Sequence, residues 1–269
     1  SSLRQDYDYT GDMDYLKANI TRARKAMNFY MQMYDESRHL NNQSYLVGHD
    51  SDKTSSYESD RYAMSLGNGY WDISFMPKYD FQSNMYFYDA LVDIAYLEQV
   101  LIDNNISVDK SQANVLTADR QFNHGESVYN YTPESLNKIA NDVLTELRKP
   151  INDKDKTGFW SEETGRFIAG YAHAEDKWYD YGYTMWNTEA IYYGIATDEQ
   201  AWANEYIQKY TCQNGNERIL PTCPVRLGSQ GAIKLGKPMQ YGENNEEVMA
   251  SLGYSEEQIK ELFAKGALG

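Results

Sequence analysis

Cationic side chains are scarce in this chain of 269 residues, and long apolar runs are absent from it. Lysine and arginine total 25 against 40 aspartates and glutamates, which gives a formal net charge of -15 at pH 7. An acidic surface repels phosphate backbones and anionic lipid headgroups, so nucleic acid and membrane surfaces are not expected as partners. Because no run reaches about 18 apolar residues, the sequence predicts no membrane-spanning helix.

Cysteine is also scarce, and the two that are present are too few for a disulfide framework or a thiolate metal cluster. Cys212 and Cys223 flank a predicted hairpin, where we expect two separate thiols, although they would pair in an oxidising compartment. No histidine and carboxylate cluster has metal-ligand spacing, so no metal and no other cofactor is predicted. The chain begins at Ser1 without a charged-then-apolar leader, and we expect a soluble protein. The compartment is not fixed, with the cytoplasm favoured over the periplasm or the exterior.

Tyrosine is the most over-represented residue type. The chain has 25 tyrosines and 5 tryptophans, and aromatic residues make up 14% of it. Aromatic rings with a polar edge suit concave, partly wet surfaces and stack on the apolar faces of sugar rings. The packing of aromatic-rich helices explains the same composition without any ligand, so composition leaves both interpretations open.

Hydrophobic periodicity of the helical kind predicts most of the elements before residue 197. Thr132 is the predicted cap of one helix because Pro133 and Glu134 follow it, in positions that favour a helix start. Polar, aperiodic stretches over 40–69 and 104–131 predict long loops. The predicted elements are helices over 12–38, 82–103, 133–147 and 187–196 and a short hairpin over 158–171 that turns at 163–165.

The pattern changes at Thr197, where a capping box with Gln200 opens a short helix. Strand-like runs over 205–211 and 218–221 flank Asn214-Gly215, a strong hairpin signal. Two further short helices are predicted, capped by Asn244 and by Ser255. We therefore predict two domains, residues 1–196 and residues 197–269.

The segment from Gly67 to Asn84 is the densest in residues suited to sugar chemistry. Glycosidic hydrolysis uses a protonated carboxylic acid that faces a carboxylate, and Asp72 and Asp80 offer such groups. Burial beside Trp71 would raise the pKa of Asp72, as a general acid requires. Equally, Asp72 would stabilise a turn and Asp80 would cap the helix that follows.

The first part of the chain resembles bacterial six-hairpin (α/α)6-barrel glycoside hydrolases over roughly residues 11–200. The similarity rests on Gly69-Tyr70-Trp71-Asp72, on 82–88, on 158–167 and on 179–194. It implies a mainly α fold, here a partial (α/α) toroid of helical hairpins, because fewer helices are predicted than a complete barrel needs. The residues after 197 imply a small α+β tail with one β-hairpin and two short helices.

The same resemblance implies Asp72 as the general acid, with Asp180 and Glu189 as the candidates for its partner base. Glu189 has an alternative explanation, since a carboxylate in a first helical turn complements the helix dipole. Carbohydrate is the expected partner, and the incomplete barrel predicts self-association or an additional chain that completes it. The implied substrate-binding residues are Tyr70, Trp71, Asp80, Gln82, Asn84, Trp160, His173, Tyr181, Trp186 and Asn187.

The tail resembles the C-terminal end of family III CoA-transferases. The similarity is carried by 198–204, 220–227, 235–236, 242–248 and 252–259, in that order along the chain. That family's catalytic aspartate and nucleotide-binding sheet would lie upstream of such a segment. The functional hypotheses are therefore a glycoside hydrolase-type protein, a CoA-transferase relative, and a non-catalytic binding or chimeric protein.

Overall fold

The protein is described from a computed structural model. It describes residues 2–41, 76–77, 79–106, 132–172, 175–203, 205–212, 214–222, 234, 236 and 241–268. These residues belong to two compact units, Ser1–Asn204 and Glu205–Gly269. The predicted domain boundary at 196–197 falls inside the first unit, ahead of its last helix.

Helices dominate the first unit, in agreement with the predicted mainly α class, whereas the toroidal arrangement stays a prediction. The helices are α1 (Ser2–Thr10), α2 (Met13–Asn41), α3 (Phe81–Asp103), α4 (Pro133–Arg148), α5 (Thr184–Tyr192) and α6 (Asp198–Ala203). Sequence patterns missed α1, which is polar and buries no residue completely.

The predicted helix starts are confirmed for α2, α3, α4 and α6. Asp12 accepts a hydrogen bond from the Tyr15 amide at 2.9 Å, so it caps α2. Thr132 and Ser135 form a reciprocal capping box at the start of α4. The predicted start of α5 near Asn187 is wrong, because the helix already begins at Thr184. Asn187 lies inside it, and its side chain accepts from the Phe167 amide.

Short strands follow α4 in the first unit. They are β1 (Trp160–Ser161), β2 (Arg166–Phe167), β3 (Gly170–Ala172) and β4 (Lys177–Tyr179). β1 and β2 form the predicted hairpin, with Trp160 opposite Phe167. The second hairpin, β3–β4, was not predicted; it places Tyr171 opposite Trp178. Gly158 precedes β1 with φ +93, and a Cβ atom there would collide with the carbonyl oxygen of Pro150.

The main core of the first unit joins α2, α3, α4, α5 and the β1–β2 hairpin. Phe81, at the start of α3, stacks on Phe167 of β2 with ring centroids 4.6 Å apart. The Phe81 amide donates to the carbonyl of Ala169 at 2.9 Å, which ties the helix start to the hairpin. Arg148 of α4 donates to the carbonyl of Ile195 at 2.7 Å, so the end of α4 is joined to the residues that follow α5.

A buried ion pair joins α2 to α3. The Arg24 guanidinium donates through Nε to Glu98 Oε1 at 2.5 Å and through Nη2 to Oε2 at 2.7 Å. Arg24 is 0% exposed and Glu98 is 1% exposed. A bidentate contact of this kind fixes both the distance between α2 and α3 and their rotation about their own axes.

The second unit has the predicted hairpin and two short helices. They are β5 (Ile207–Thr211), β6 (Glu217–Pro221), α7 (Asn245–Ser251) and α8 (Glu256–Ala264). Gly215 adopts φ +80 in the hairpin turn, as the Asn-Gly signal predicts. Ser255 and Gln258 form the predicted capping box. Asn244 occupies the predicted N-cap position of α7, but its side chain makes no capping bond. Its Nδ2 atom donates to Glu247 Oε2 instead.

The second unit leaves much apolar surface exposed. Among its described residues, Tyr206 and Ile259 are the buried ones. Val248 and Leu252 lie one helical turn apart and are 49% and 67% exposed. Cys212 is a free thiol. In the part of the chain that the structure describes, no helix is long and apolar enough to cross a membrane.

The buried pair leads to a stability prediction. Glu98→Gln replaces the carboxylate that pairs with the buried Arg24 guanidinium by a neutral amide, and we expect a loss of about 3–5 kcal/mol in the free energy of unfolding. Urea titration of the full chain, followed by circular dichroism, measures this loss. Asp14→Asn is the control, because Asp14 pairs with Lys17 at 3.2 Å on the surface, where such a pair contributes about 0–1 kcal/mol.

The double variant Arg24→Met, Glu98→Leu should be less destabilised than Glu98→Gln, because it leaves no buried charge behind. An equal, small effect of Glu98→Gln and Asp14→Asn would contradict the assigned role of the pair.

Candidate functional site

A row of polar side chains runs along one face of α3. Gln82, Tyr86, Asp89 and Asp93 are spaced four, three and four residues apart, which places them on one side of the helix. We call these four residues the polar stripe. Its neighbours come from α5, from the residue that follows α5, and from α1.

At the first end of the stripe, a chain of hydrogen bonds leads from α3 to α5. Gln82 Nε2 donates to the Tyr86 hydroxyl at 3.4 Å. That hydroxyl lies 3.3 Å and 3.2 Å from the two carboxylate oxygens of Glu189, to which it donates. Gln82 is 1% exposed, and its Oε1 atom has no hydrogen-bond partner among the residues that the structure describes.

Glu189, one of the two predicted base candidates, has a carboxyl group whose pKa is shifted. Burial raises the pKa of Glu189, and the hydrogen bond from Tyr86 acts in the opposite direction. The alternative explanation from the helix dipole is weakened, because α5 begins at Thr184 and Glu189 therefore lies beyond the first turn. Glu189 is thus a carboxyl suited to proton exchange nearer neutral pH than an ordinary glutamate.

At the middle of the stripe lies a second perturbed carboxyl, Asp89. Burial, followed by the nearby charge of Asp93, raises the pKa of Asp89 to about 6, whereas the chain's amino group and Arg4 act to lower it. Tyr193, which follows α5, stands close to both carboxyls. Burial and the charges of Asp89 and Glu189 raise the pKa of Tyr193 to about 12.

At the far end of the stripe, Arg4 of α1 neutralises Asp93. Its Nη1 atom lies 2.8 Å from Asp93 Oδ1, and its Nε atom lies 3.4 Å from Asp8 Oδ2. The guanidinium also lies 4.5 Å from the ring centroid of Tyr96. Residues of α1, α3 and the end of α5 enclose a cleft of about 350 Å³ beside Asp89.

The structure assigns Asp180 to a turn. Its carboxylate pairs with Arg166, at 3.0 Å from Nε and 2.9 Å from Nη2. It also accepts from the Gly182 amide at 2.9 Å. These contacts hold the segment between β4 and α5 and keep the Asp180 carboxylate paired.

Three predicted binding residues hold the fold together through their side chains. Asp80 is 0% exposed and caps α3, accepting from the Ser83 amide at 2.8 Å. Asn84 Nδ2 donates to the Asp80 carbonyl at 2.8 Å. Asn187 accepts from the Phe167 amide at 2.8 Å and so ties α5 to β2.

The predicted aromatic platforms pack into the first unit. Trp160 is 9% exposed and meets Phe167 edge to face, and Trp186 is 1% exposed. Tyr181 stacks on Tyr183 with centroids 5.3 Å apart. Trp186 is buried, yet its Nε1 atom has no hydrogen-bond partner among the described residues. Trp160 and Trp186 thus fill the core, whereas Tyr181 and its neighbour Tyr183 are partly exposed.

Four predicted site residues lie outside the described residues, namely Tyr70, Trp71, Asp72 and His173. Of the others, the structure brings Gln82 and Glu189 together through Tyr86. The sequence analysis missed Tyr86, Asp89 and Tyr193. The four-three-four spacing of polar residues along 82–93 was the signal that would have located the stripe. Within the described ranges, no three histidine, cysteine or acidic side chains are placed to hold a metal ion.

Comparison with known proteins finds similarity to CoA-transferases over about a quarter of the chain. It is 43% identical over 68 residues to a cinnamoyl-CoA:phenyllactate CoA-transferase of Clostridium sporogenes. It is 40% identical over 65 residues to an (R)-2-hydroxy-4-methylpentanoate CoA-transferase of Clostridioides difficile. In both cases the chain spans 16% of the relative's length. No protein-family model and no solved structure matches the chain.

These comparisons support the resemblance to CoA-transferases and give no support to the resemblance to glycoside hydrolases. The matched stretches are 68 and 65 residues long. The tail, residues 197–269, carries the CoA-transferase motifs and has a similar length.

The Tyr86–Glu189 contact gives a measurable prediction. Tyr86→Phe removes a hydrogen bond that stabilises the ionised carboxylate, so the pKa of Glu189 should rise further above its ordinary value. Carboxyl carbon NMR titration measures it, with Glu189→Gln to assign the signal. Tyr15→Phe, at an exposed position of α2, is the matched control and should leave the titration unchanged. A lower pKa in Tyr86→Phe would refute the assigned contact.

Proposed function

We propose that this chain takes part in CoA transfer between carboxylic acids, with residues 197–269 acting as the C-terminal segment of a CoA-transferase. The observation that carries the proposal is the 43% identity over 68 residues to a cinnamoyl-CoA:phenyllactate CoA-transferase. A second relative, named for (R)-2-hydroxy-4-methylpentanoate, agrees at 40% over 65 residues. Both names contain a 2-hydroxy carboxylate, and we propose this class as the acid.

The burial pattern of the second unit supports this role. A unit of this size buries little surface by itself and is only marginally stable unless it packs on something larger. Leu252 is 67% exposed and Ile219 is 59% exposed, whereas Ile259 is buried. A segment that packs on the body of a larger enzyme would present such apolar residues to it.

In this proposal the segment works together with the rest of a transferase fold. The matched part spans 16% of each relative, and the resemblance puts the catalytic aspartate and nucleotide-binding sheet upstream of it. We therefore propose that the segment packs against the remaining transferase fold, and we expect no CoA transfer by these 269 residues alone.

A segment exchange tests the proposal. The last segment of the Clostridium sporogenes enzyme is replaced by residues 197–269 of this chain, and transfer of CoA from cinnamoyl-CoA to phenyllactate is followed by chromatography. We expect the exchanged enzyme to retain activity within about tenfold of its parent, because packed cores tolerate many simultaneous substitutions when side-chain volume and pattern are kept.

The matched control is the same exchange with Ile259→Asp, which puts a charge at the buried position of α8 and should abolish activity. Inactivity of a folded exchanged enzyme, equal to that of the Ile259→Asp control, would remove the proposal.

A carbohydrate-active function of the first unit is a second candidate, and the perturbed Glu189 carboxyl favours it. Asp180 is paired with Arg166, so Glu189 is the better candidate for the base. Glu189 accepts from a tyrosine and lies on a tyrosine-rich surface, which suits sugar recognition. In this proposal Asp72 supplies the acid and Glu189 the base.

The test is hydrolysis of a panel of aryl glycosides by the full chain. Asp72→Asn and Glu189→Gln should each abolish turnover while circular dichroism stays unchanged, because each removes one member of the carboxyl pair. Asp103→Asn, an exposed aspartate at the end of α3, is the control and should retain turnover. Undiminished turnover in Asp72→Asn would exclude this candidate.

A further inference from the structure

The cleft beside Asp89 is built from three parts of the first unit. α1 contributes Arg4 and Asp8, α3 contributes Tyr88 and Asp89, and the end of α5 contributes tyrosines. Its volume of about 350 Å³ lies near the lower end of the range of roughly 300–1,000 Å³ for small-molecule sites. The cleft therefore has room for a small ligand.

Tyr192 and Tyr193 form an aromatic corner in this cleft. Their ring planes meet at 74°, with centroids 5.1 Å apart. Tyr192 is 74% exposed, so one wall of the corner is open to a ligand. Rings set at a steep angle present more than one electron-rich surface to the same position, an arrangement that attracts cations.

The charges in the cleft also favour a cation. The carboxylates of Asp8, Asp89 and Asp93 outnumber the cations that act on the cleft, which are the Arg4 guanidinium and the chain's amino group. Arg4 is already engaged by Asp93 and Asp8 and stacks on Tyr96. Among the described residues, no hydrogen bond reaches the Asp89 carboxylate, so it is the acceptor that remains for a ligand.

We propose that this cleft binds a compact organic cation, with Asp89 as its counter-charge and Tyr192 and Tyr193 as its aromatic wall. An anion is disfavoured because the carboxylates are in excess. A bare metal ion is disfavoured because, in the described part of the chain, no three histidine, cysteine or acidic side chains are placed so that they could hold one. The site lies within the first unit and does not rest on the proposed CoA transfer.

Binding should depend on pH in a defined direction. A cation is attracted by ionised Asp89, whose pKa is raised to about 6. Affinity is therefore full at neutral pH and falls as the pH is lowered through about 6. The other charged or titratable groups that face Asp89 are Asp93 on its own helix, Arg4 and the amino group of the chain, and Tyr88 and Tyr193.

Saturation-transfer NMR on the full chain tests the site with choline as the probe. The comparison ligand is 3,3-dimethylbutan-1-ol, which has the same shape without the charge. We expect saturation transfer to the choline methyl groups and little to the neutral alcohol. Equal transfer to both ligands, or none to choline, would overturn the proposal.

Two variants with matched controls locate the binding. Asp89→Asn should weaken choline binding about tenfold, whereas Asp103→Asn should not. The control removes the same charge from the same helix, about 20 Å further along it. Tyr192→Leu should also weaken binding, whereas Tyr15→Leu, at another exposed tyrosine, should not.

Equal weakening by Asp89→Asn and Asp103→Asn would mean that net charge alone attracts choline, which contradicts the site. Tyr192→Leu changes a largely exposed side chain and keeps the test decisive if Asp89→Asn does not fold. Unchanged choline binding in Tyr192→Leu would likewise contradict the proposed aromatic wall.

Discussion

The buried ion pair between Arg24 and Glu98 constrains the first unit more than any surface contact does. Two full charges in a dry core are tolerated only if they meet in a well-formed pair, so α2 and α3 are held at one spacing and one rotation. The rotation of α3 determines where its other faces point. Glu98 faces α2, and Leu91 and Leu97 are buried. The polar stripe therefore lies on the side of α3 that α1 and α5 contact.

Local signals in the sequence predicted much of the fold, because they depend on neighbouring residues. The Thr132 cap of α4, the Asn-Gly turn at Gly215 and the β1–β2 hairpin are all of this kind. The start of α5 at Thr184 was placed three residues too late, and the Tyr183 side chain makes no capping bond there that a local pattern could reveal. The contact of Asn187 with β2 joins residues 20 positions apart in the chain, which no local pattern shows.

The candidate site was harder to predict because it depends on contacts between residues that are far apart in the sequence. Asp80, Asp180 and Asn187 have the right chemistry for a sugar site, yet caps and turns use the same side-chain types. The residues that do come together, such as Tyr86 with Glu189, are 103 positions apart in the chain. Only packing shows that the carboxyl of Glu189 is partly desolvated, and the perturbed pKa follows from that environment.

The exposed apolar residues at α7 affect how quickly the protein is degraded in a cell. Chaperones and proteases recognise apolar surface that stays uncovered, and they remove marginally stable chains continuously. Val248 and Leu252 would be such a signal whenever the second unit has no partner. We therefore expect the cellular half-life of this chain to lengthen when Val248 and Leu252 are covered.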